Sequence, residues 1–281
     1  MKRTMLIPTD FDDYTPKLMD FCAGTRERGI VRCILVHVVD TSGLEGPVIS
    51  KTLDDAKNKL NILAEPIRQA GIETSLRVVT GNPSYEILKL VRAENVDVVV
   101  VGTTAKSKLA RLFTGSLSED IAFGQKAPTL MVRDDLIVDK EDVELSSLEW
   151  SKKLVVPVDY SAASARAVLQ CTRFEPESVG EVRLLNVIEE LPKGQDLKSA
   201  VSEQEFRLSA FCKMLEDVGI NAVPVVRQGK DIDEILDEVK DSNATGIVIG
   251  CNSKTLLSEL IVGSTTQEII RVAPVYVMVV P

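Results

Sequence analysis

The chain carries one folding pattern twice. Met5-Leu6-Ile7-Pro8-Thr9-Asp10-Phe11 returns as Leu154-Val155-Val156-Pro157-Val158-Asp159-Tyr160, which sets Asp10 and Asp159 149 positions apart. Leu35-Val36-His37-Val38-Val39 faces Leu184-Leu185-Asn186-Val187-Ile188 at the same offset. Gly102 and Gly115-Ser116 return 148 positions on as Gly250 and Gly263-Ser264. Landmarks kept in one order and nearly one register mark a duplicated domain of about 130 to 150 residues, a common domain size. Two copies of that length are too few and too long for a solenoid.

Bulk properties narrow the function classes. With 281 residues, 44% of them hydrophobic and 27% charged, the chain can bury two separate cores. A net charge of −9 argues against a broad nucleic-acid or anionic-membrane surface, because both need an extended basic patch. No apolar run reaches spanning length, and Met5-Leu6-Ile7 before Pro8 is too short for the apolar region of a signal peptide. A cytoplasmic protein is the expectation. Cys22, Cys33, Cys171, Cys212 and Cys251 form no C-x-x-C pair, and His37 is the chain's single histidine, so no structural zinc or other metal site is expected. Cys22 and Cys171, at equivalent positions, read as small buried hydrophobes in a helix.

Short runs rich in β-branched residues alternate with longer amphipathic stretches, the pattern of βαβ units and a parallel sheet. In the first half the strands read Thr4 to Ile7, Val31 to Val38, Ser75 to Val79, Val96 to Val101 and Thr129 to Val132. Helices are expected over Thr15 to Arg28, Lys51 to Ala70, Ser84 to Glu94 and Ser116 to Phe123, with Gly29 and Gly71 as stops. The second half places strands at Lys153 to Val156, Glu181 to Val187, Ala222 to Val226, Gly246 to Ile249 and Val275 to Val280. The Val96 to Val101 run lacks polar alternation and predicts a central strand covered on both faces. The fold class is therefore α/β, with two tandem doubly wound, Rossmann-like domains, each a five-stranded parallel-type sheet with about four helices. The domains are expected at 1–133 and 151–281. Residues 134–150, with seven acids against Lys140, read as an acidic linker and a solvated tether.

Doubly wound sheets bind ligands outside the carboxyl ends of their strands, where the strand order reverses. Asp10, Val38 and Gly102 each fall at such a strand end. Gly115-Ser116 opens a predicted helix and offers main-chain N–H groups, a hydroxyl and the positive helix end to an anion, with Lys106, Lys108 and Arg111 nearby in sequence. A capping role for Ser116 explains the same pair. The chain has no Walker A loop, no G-x-G-x-x-G fingerprint and no G-x-S-x-G elbow. One histidine cannot furnish a Ser-His-Asp or Cys-His device in both repeats, so no catalytic residue is assigned. His37, at the end of a buried strand, reads as structural.

These residues resemble the universal stress protein family. The resemblance lies in the Ile7-Pro8-Thr9-Asp10-Phe11 start, the Leu35-Val36-His37-Val38-Val39-Asp40 strand and the spacing Gly102-x2-Ala105-x9-Gly115-Ser116, and it covers both halves. It implies binding of ATP or AMP between the loop and the aspartate, with Mg following ATP alone. In the first domain Pro8, Thr9 and Asp10 would contact the adenosine, Val38 would offer main-chain hydrogen bonds to adenine, and Val101, Gly102, Ala105, Gly115, Ser116, Leu117 and Ser118 would line the ribose and phosphates. In the second, Pro157, Val158, Asp159, Val187, Ile249, Gly250, Ser253, Gly263, Ser264, Thr265 and Thr266 would do the same more weakly. The family loop is G-x-x-G-x9-G-[ST], and Ala105 and Ser253 replace its middle glycine. A Cβ at a position needing positive φ costs on the order of 1 kcal/mol, about tenfold in affinity. Ala105 intrudes less than Ser253, and the first copy keeps Thr9, so the first site ranks higher.

The resemblance implies a nucleotide-binding sensor or regulator of the stress response, with at most slow ATP hydrolysis. The alternative is a non-nucleotide-binding protein-interaction module of the same fold, with an unidentified protein partner. An adenylating enzyme related by fold has no catalytic cluster to support it. The resemblance also implies that Thr129 to Val132 and Val275 to Val280 meet across an intrachain pseudo-two-fold, and it is compatible with a homodimer of the whole chain.

Overall fold

The computed structural model describes residues 2–41, 46–103, 127–136, 147, 149–191, 194–251 and 264–281. They fall into two compact units that divide between Leu148 and Glu149. The sequence places the predicted helix Ser116 to Phe123 and most of the acidic linker outside these residues.

The first unit runs β1 (Arg3–Pro8), α1 (Thr15–Gly24), β2 (Ile30–Val39), α2 (Gly46–Leu63), α3 (Glu65–Gln69), β3 (Glu73–Thr80), α4 (Pro83–Ala93), β4 (Val98–Thr103) and β5 (Thr129–Arg133). Its strands lie in the order β3-β2-β1-β4-β5, every pair parallel. The order reverses between β1 and β4, which makes that gap the switch point. Val99, Val100 and Val101 in β4 are buried, as an unbroken apolar run in a doubly covered strand requires. The strand starts two residues later than the pattern predicts, because Asp97 is spent closing the ladder end: its Oδ2 accepts the Thr4 N–H at 2.7 Å. On one face Ile87 and Val91 of α4 pack against Leu6, Ile34, Val36, Val99 and Val101.

Helix boundaries follow local chemistry. Asn82 caps α4 by accepting the Tyr85 N–H at 3.1 Å, and Pro83 sits where no N–H is needed. The single helix expected over Lys51 to Ala70 is two, because Pro66 cannot donate to the i−4 carbonyl and the ladder divides at Ala64. Gly29 and Gly71 stop their segments at φ 80° and 77°, conformations open to glycine without a Cβ clash.

The second unit repeats the order: β6 (Lys153–Pro157), α5 (Ala162–Cys171), β7 (Glu181–Ile188), α6 (Leu197–Glu216), β8 (Ala222–Gln228), α7 (Asp231–Ser242), β9 (Gly246–Gly250), α8 (Ser264–Val272) and β10 (Tyr276–Val280). The strand order β10-β9-β6-β7-β8 is parallel throughout and, read from β8, matches that of the first unit. Departures from ordinary backbone geometry recur with it. Phe11 and Tyr160 adopt φ 62° and 61°, and Asn95 and Asn243 adopt 49° and 52°, each pair at repeat-equivalent positions. Left-handed backbone is uncommon at a bulky aromatic, so its double appearance marks a constraint that both copies kept.

Two carboxylates tie helices to strands. Glu238 on α7, buried, accepts from Arg183 of β7 at 2.5 Å and from Arg227 of β8 at 2.6 Å. Glu94, just after α4, joins Arg32 of β2 at 2.6 Å and Arg77 of β3 at 3.1 Å.

The segment expected to be a solvated tether is packed at its far end. Ser147 and Trp150 are buried. In the first unit the buried Arg28 donates from Nε to the Ser147 carbonyl at 3.0 Å, and burial pulls its guanidinium down to about 10. In the second, Trp150 sets its ring edge against Phe174 at 5.7 Å and accepts from Thr245 Oγ1 at 3.1 Å. Apolar surface on the indole and a buried guanidinium needing an acceptor outweigh the acidic composition there.

No helix among the described residues is long and apolar enough to cross a membrane. All five cysteines are buried, Cys22 and Cys171 within helices as expected.

Candidate functional site

At the switch point of the second unit the chain leaves β6 and turns sharply. The last residue of β6, Pro157, pairs with Leu185, and the Val158 N–H donates to the Leu185 carbonyl at 2.7 Å. Tyr160 then takes its left-handed conformation, and Ser161 caps α5 by accepting the Ser164 N–H at 3.2 Å. This turn leaves Asp159 at the strand end, where its Oδ1 accepts the Ser161 N–H at 3.0 Å. Burial opposes its ionisation, but the hydrogen bonds from Ser161 and Ser164 outweigh burial and hold the carboxyl below the ordinary 3.8.

Asp159 faces a cleft of about 210 Å³. Its lining brings together Pro157, Val158 and Ser161 after β6, Asn186 and Val187 of β7, Asp231 and Ile235 of α7, and Ile249, Gly250, Cys251, Thr265 and Thr266 around the end of β9 and the start of α8. Eight of the residues expected at this site thus lie together: Pro157, Val158, Asp159, Val187, Ile249, Gly250, Thr265 and Thr266. Thr266 also donates from Oγ1 to the Gly250 carbonyl at 3.4 Å. Ser253, Gly263 and the side chain of Ser264 lie outside the described residues.

The register gives Val187 a main-chain role. Alternate residues of a parallel strand turn their N–H and C=O groups to the same side. The Leu185 carbonyl points to the β6 side, so those of Val187, two residues on and past the end of β6, point into the cleft. The first unit repeats this arrangement: the Thr9 N–H donates to Val36 at 2.9 Å, and Val38 extends beyond Pro8. A donor and an acceptor side by side can read one edge of a planar heterocycle.

Gly102 and Gly250, expected to admit a ligand, answer first to helix packing. A Cβ on Gly250 would lie 2.1 Å from the Ala163 carbonyl oxygen at the start of α5, and one on Gly102 would meet the Tyr14 ring at 2.9 Å. The start of the first helix of each unit thus seats on the glycine near the end of the fourth strand.

In the first unit, the Thr9 hydroxyl is held within its own turn. It is buried, accepts the Phe11 N–H at 3.0 Å and lies 3.2 Å from Thr15 Oγ1. Asp10 follows it and lies near Asp12 and His37: burial chiefly, then the charge of Asp10, raises the Asp12 carboxyl, while Asp12 accepts from Thr15 at 2.7 and 2.9 Å. His37 Nδ1 sits 2.7 Å from the Thr9 carbonyl, which can only accept, so Nδ1 carries the proton. Its ring packs 4.2 Å from Phe11. Burial pulls His37 below 6.5 against the opposing effects of that bond and Asp10. Ala105, Gly115, Ser116, Leu117, Ser118 and the basic Lys106, Lys108 and Arg111 lie outside the described residues.

The model of the universal stress protein family matches residues 1–133 and 151–281. The chain belongs to the universal stress protein family. It is 24% identical over 155 residues to universal stress protein MJ0577 of Methanocaldococcus jannaschii, a match spanning 47% of this chain and 96% of that one. It is 27% identical over 148 residues to universal stress protein YxiE of Bacillus subtilis, spanning 47% and 100%. Curated relatives of this family therefore correspond to half of the tandem chain. Among solved structures, a universal stress protein from Archaeoglobus fulgidus aligns over 99% of this chain and 97% of its own, with 22% identity and a TM-score of 0.78, which shows the two-repeat fold.

Sequence reasoning missed Ser161, Ala163, Ser164, Leu185, Asn186, Asp231, Ile235 and Cys251 as cleft residues. Asp231 was within reach: it stands 148 positions beyond Pro83, so aligning the repeats exposes a carboxylate where the first copy has an imino acid.

Proposed function

We propose that the protein binds an adenine nucleotide, ATP or AMP, at the switch point of its domains and acts as a sensor or regulator in the stress response. The observation that carries this reading is the second-unit cleft, where Asp159 and the main chain of Val187 face one 210 Å³ space closed by Gly250 and the start of α8. A carboxylate accepts hydroxyl hydrogen bonds from a ribose, and the edge of Val187 matches a purine face. Mg would accompany ATP and leave with it. With no general base assigned, any ATP hydrolysis is slow.

The sequence ranked the first site higher on two grounds. The first keeps Thr9 beside Asp10, and it has Ala105 where the second has the bulkier Ser253. The first site is therefore the one expected to fill first. Native mass spectrometry of gently purified protein, with nucleotide identified after denaturation, counts equivalents. Loss of one equivalent on Asp10→Ala and another on Asp159→Ala assigns the sites. An empty chain that also fails titration with millimolar ATP and magnesium supports the protein-interaction module instead.

A further inference from the structure

We propose that Asp231 selects the base in the second-unit cleft, accepting a hydrogen bond from an exocyclic amino group and rejecting the matching oxo-purine. This rests on the nucleotide reading above. Asp231 opens α7 and lines the same cleft as Val187 and Asp159. Its N–H donates to Glu189 Oε1 at 3.3 Å, and Glu189 follows directly on β7, two residues past Val187. This bond holds the start of α7 beside the end of β7, so Asp231 lies near the main-chain edge that a base would meet.

The chemistry then discriminates. An amino group has two hydrogens, one for the Val187 carbonyl and one for Asp231. An oxo group in that place sets an oxygen against two acceptors, and an unpaired, repelled acceptor is what gives polar sites their selectivity. The plain alternative is that Asp231 serves only the positive end of α7, where Asp233 and Glu234 also lie. Such a role holds a carboxyl below its ordinary value, whereas burial, then Glu189 and Asp159, push that of Asp231 above 3.8. In the first unit Pro83 occupies the equivalent position, so selectivity of this origin belongs to the second site alone.

Isothermal titration of the full chain carrying Asp10→Ala, with AMP and with IMP, reads the second site. AMP is expected to bind at least about tenfold more tightly than IMP, and Asp231→Asn, whose amide donates as well as accepts, narrows that ratio by about threefold or more, the Val187 carbonyl still opposing the oxo group. Asp231→Ser, which also suits a helix start, should narrow the ratio likewise and covers the case in which the asparagine variant misfolds. A ratio near one before substitution, or one unmoved by both variants, overturns the role of Asp231 while leaving nucleotide binding intact. Failure of the unsubstituted chain to bind either nucleotide overturns the nucleotide reading and this inference with it.

Discussion

His37 and Asn186 hold equivalent main-chain atoms in the two units. The imidazole Nδ1 of His37 meets the Thr9 carbonyl at 2.7 Å, and the Asn186 amide donates to the Val158 carbonyl at 2.8 Å. Both bonds pin the residue just before the aspartate to the end of the second strand. They fix where the carboxylate emerges, and they do so with different side chains.

His37→Asn should therefore be tolerated, whereas His37→Ala should cost about 1 kcal/mol through the orphaned carbonyl. The two differ from the parent in pH response. Burial places the folded His37 below the 6.5 of the unfolded chain, so the unfolded state binds more protons between those values. Its contribution is present above 6.5 and lost as the pH falls through the folded value. Melting curves from pH 7.5 to 5.5 should fall less steeply for His37→Asn; an identical slope would remove His37 as the source.

Glu238 is a buried acceptor shared by Arg183 and Arg227. Glu238→Ala removes it while Arg183 keeps Glu181 and Arg227 keeps Asp241, so about 1 to 3 kcal/mol is expected. Glu94→Ala, at a more exposed carboxylate, should cost less than half as much. Chemical denaturation, followed by Trp150 fluorescence for the second unit, measures the first; circular dichroism follows both.

Gly250→Ala should disrupt the second unit more than Gly102→Ala disrupts the first. At Gly250 the new methyl meets helix backbone, which cannot rotate away, while at Gly102 it meets the Tyr14 ring and a Leu18 methyl. Overpacking costs of about 1 to 3 kcal/mol fit Gly102→Ala, with more at Gly250. Comparable melting temperatures for the two variants would contradict this ordering.

The thiols should be silent. Burial raises all five, with Cys171 and Cys251 pushed up to about 12 and Cys212 to about 11. A thiol reagent at pH 8 should label none of them within minutes in the native protein and all five in denaturant. Rapid native labelling of Cys251 would show that the cleft opens further than its buried side chain indicates.

Much of the fold was legible because the repeat supplied two readings of each element. Strand positions, the switch point and the aspartates follow from apolar runs and their order. Pro66 was visible in the sequence, yet helical periodicity continued through it and masked the break. The packed end of the acidic segment was hidden because charge count dominates a local reading, while burial of Trp150 depends on Phe174 and Thr245, far along the chain. Asp231 was exposed by aligning the repeats but passed over for a different reason: three acids at a helix start look like dipole complements, and the fold sets one of them in the cleft lining.

The left-handed aromatics after each aspartate have a consequence for engineering. Phe11 and Tyr160 share a backbone path, each with a cation over its ring: Lys59 at 5.3 Å and Arg207 at 3.6 Å. Lys59 and Arg207 are themselves 148 positions apart. What the duplication preserved is thus a curve in the main chain together with a weight resting on it. The two turns are interchangeable parts, and a chimera that trades one for the other should keep the main-chain path of each unit unaltered.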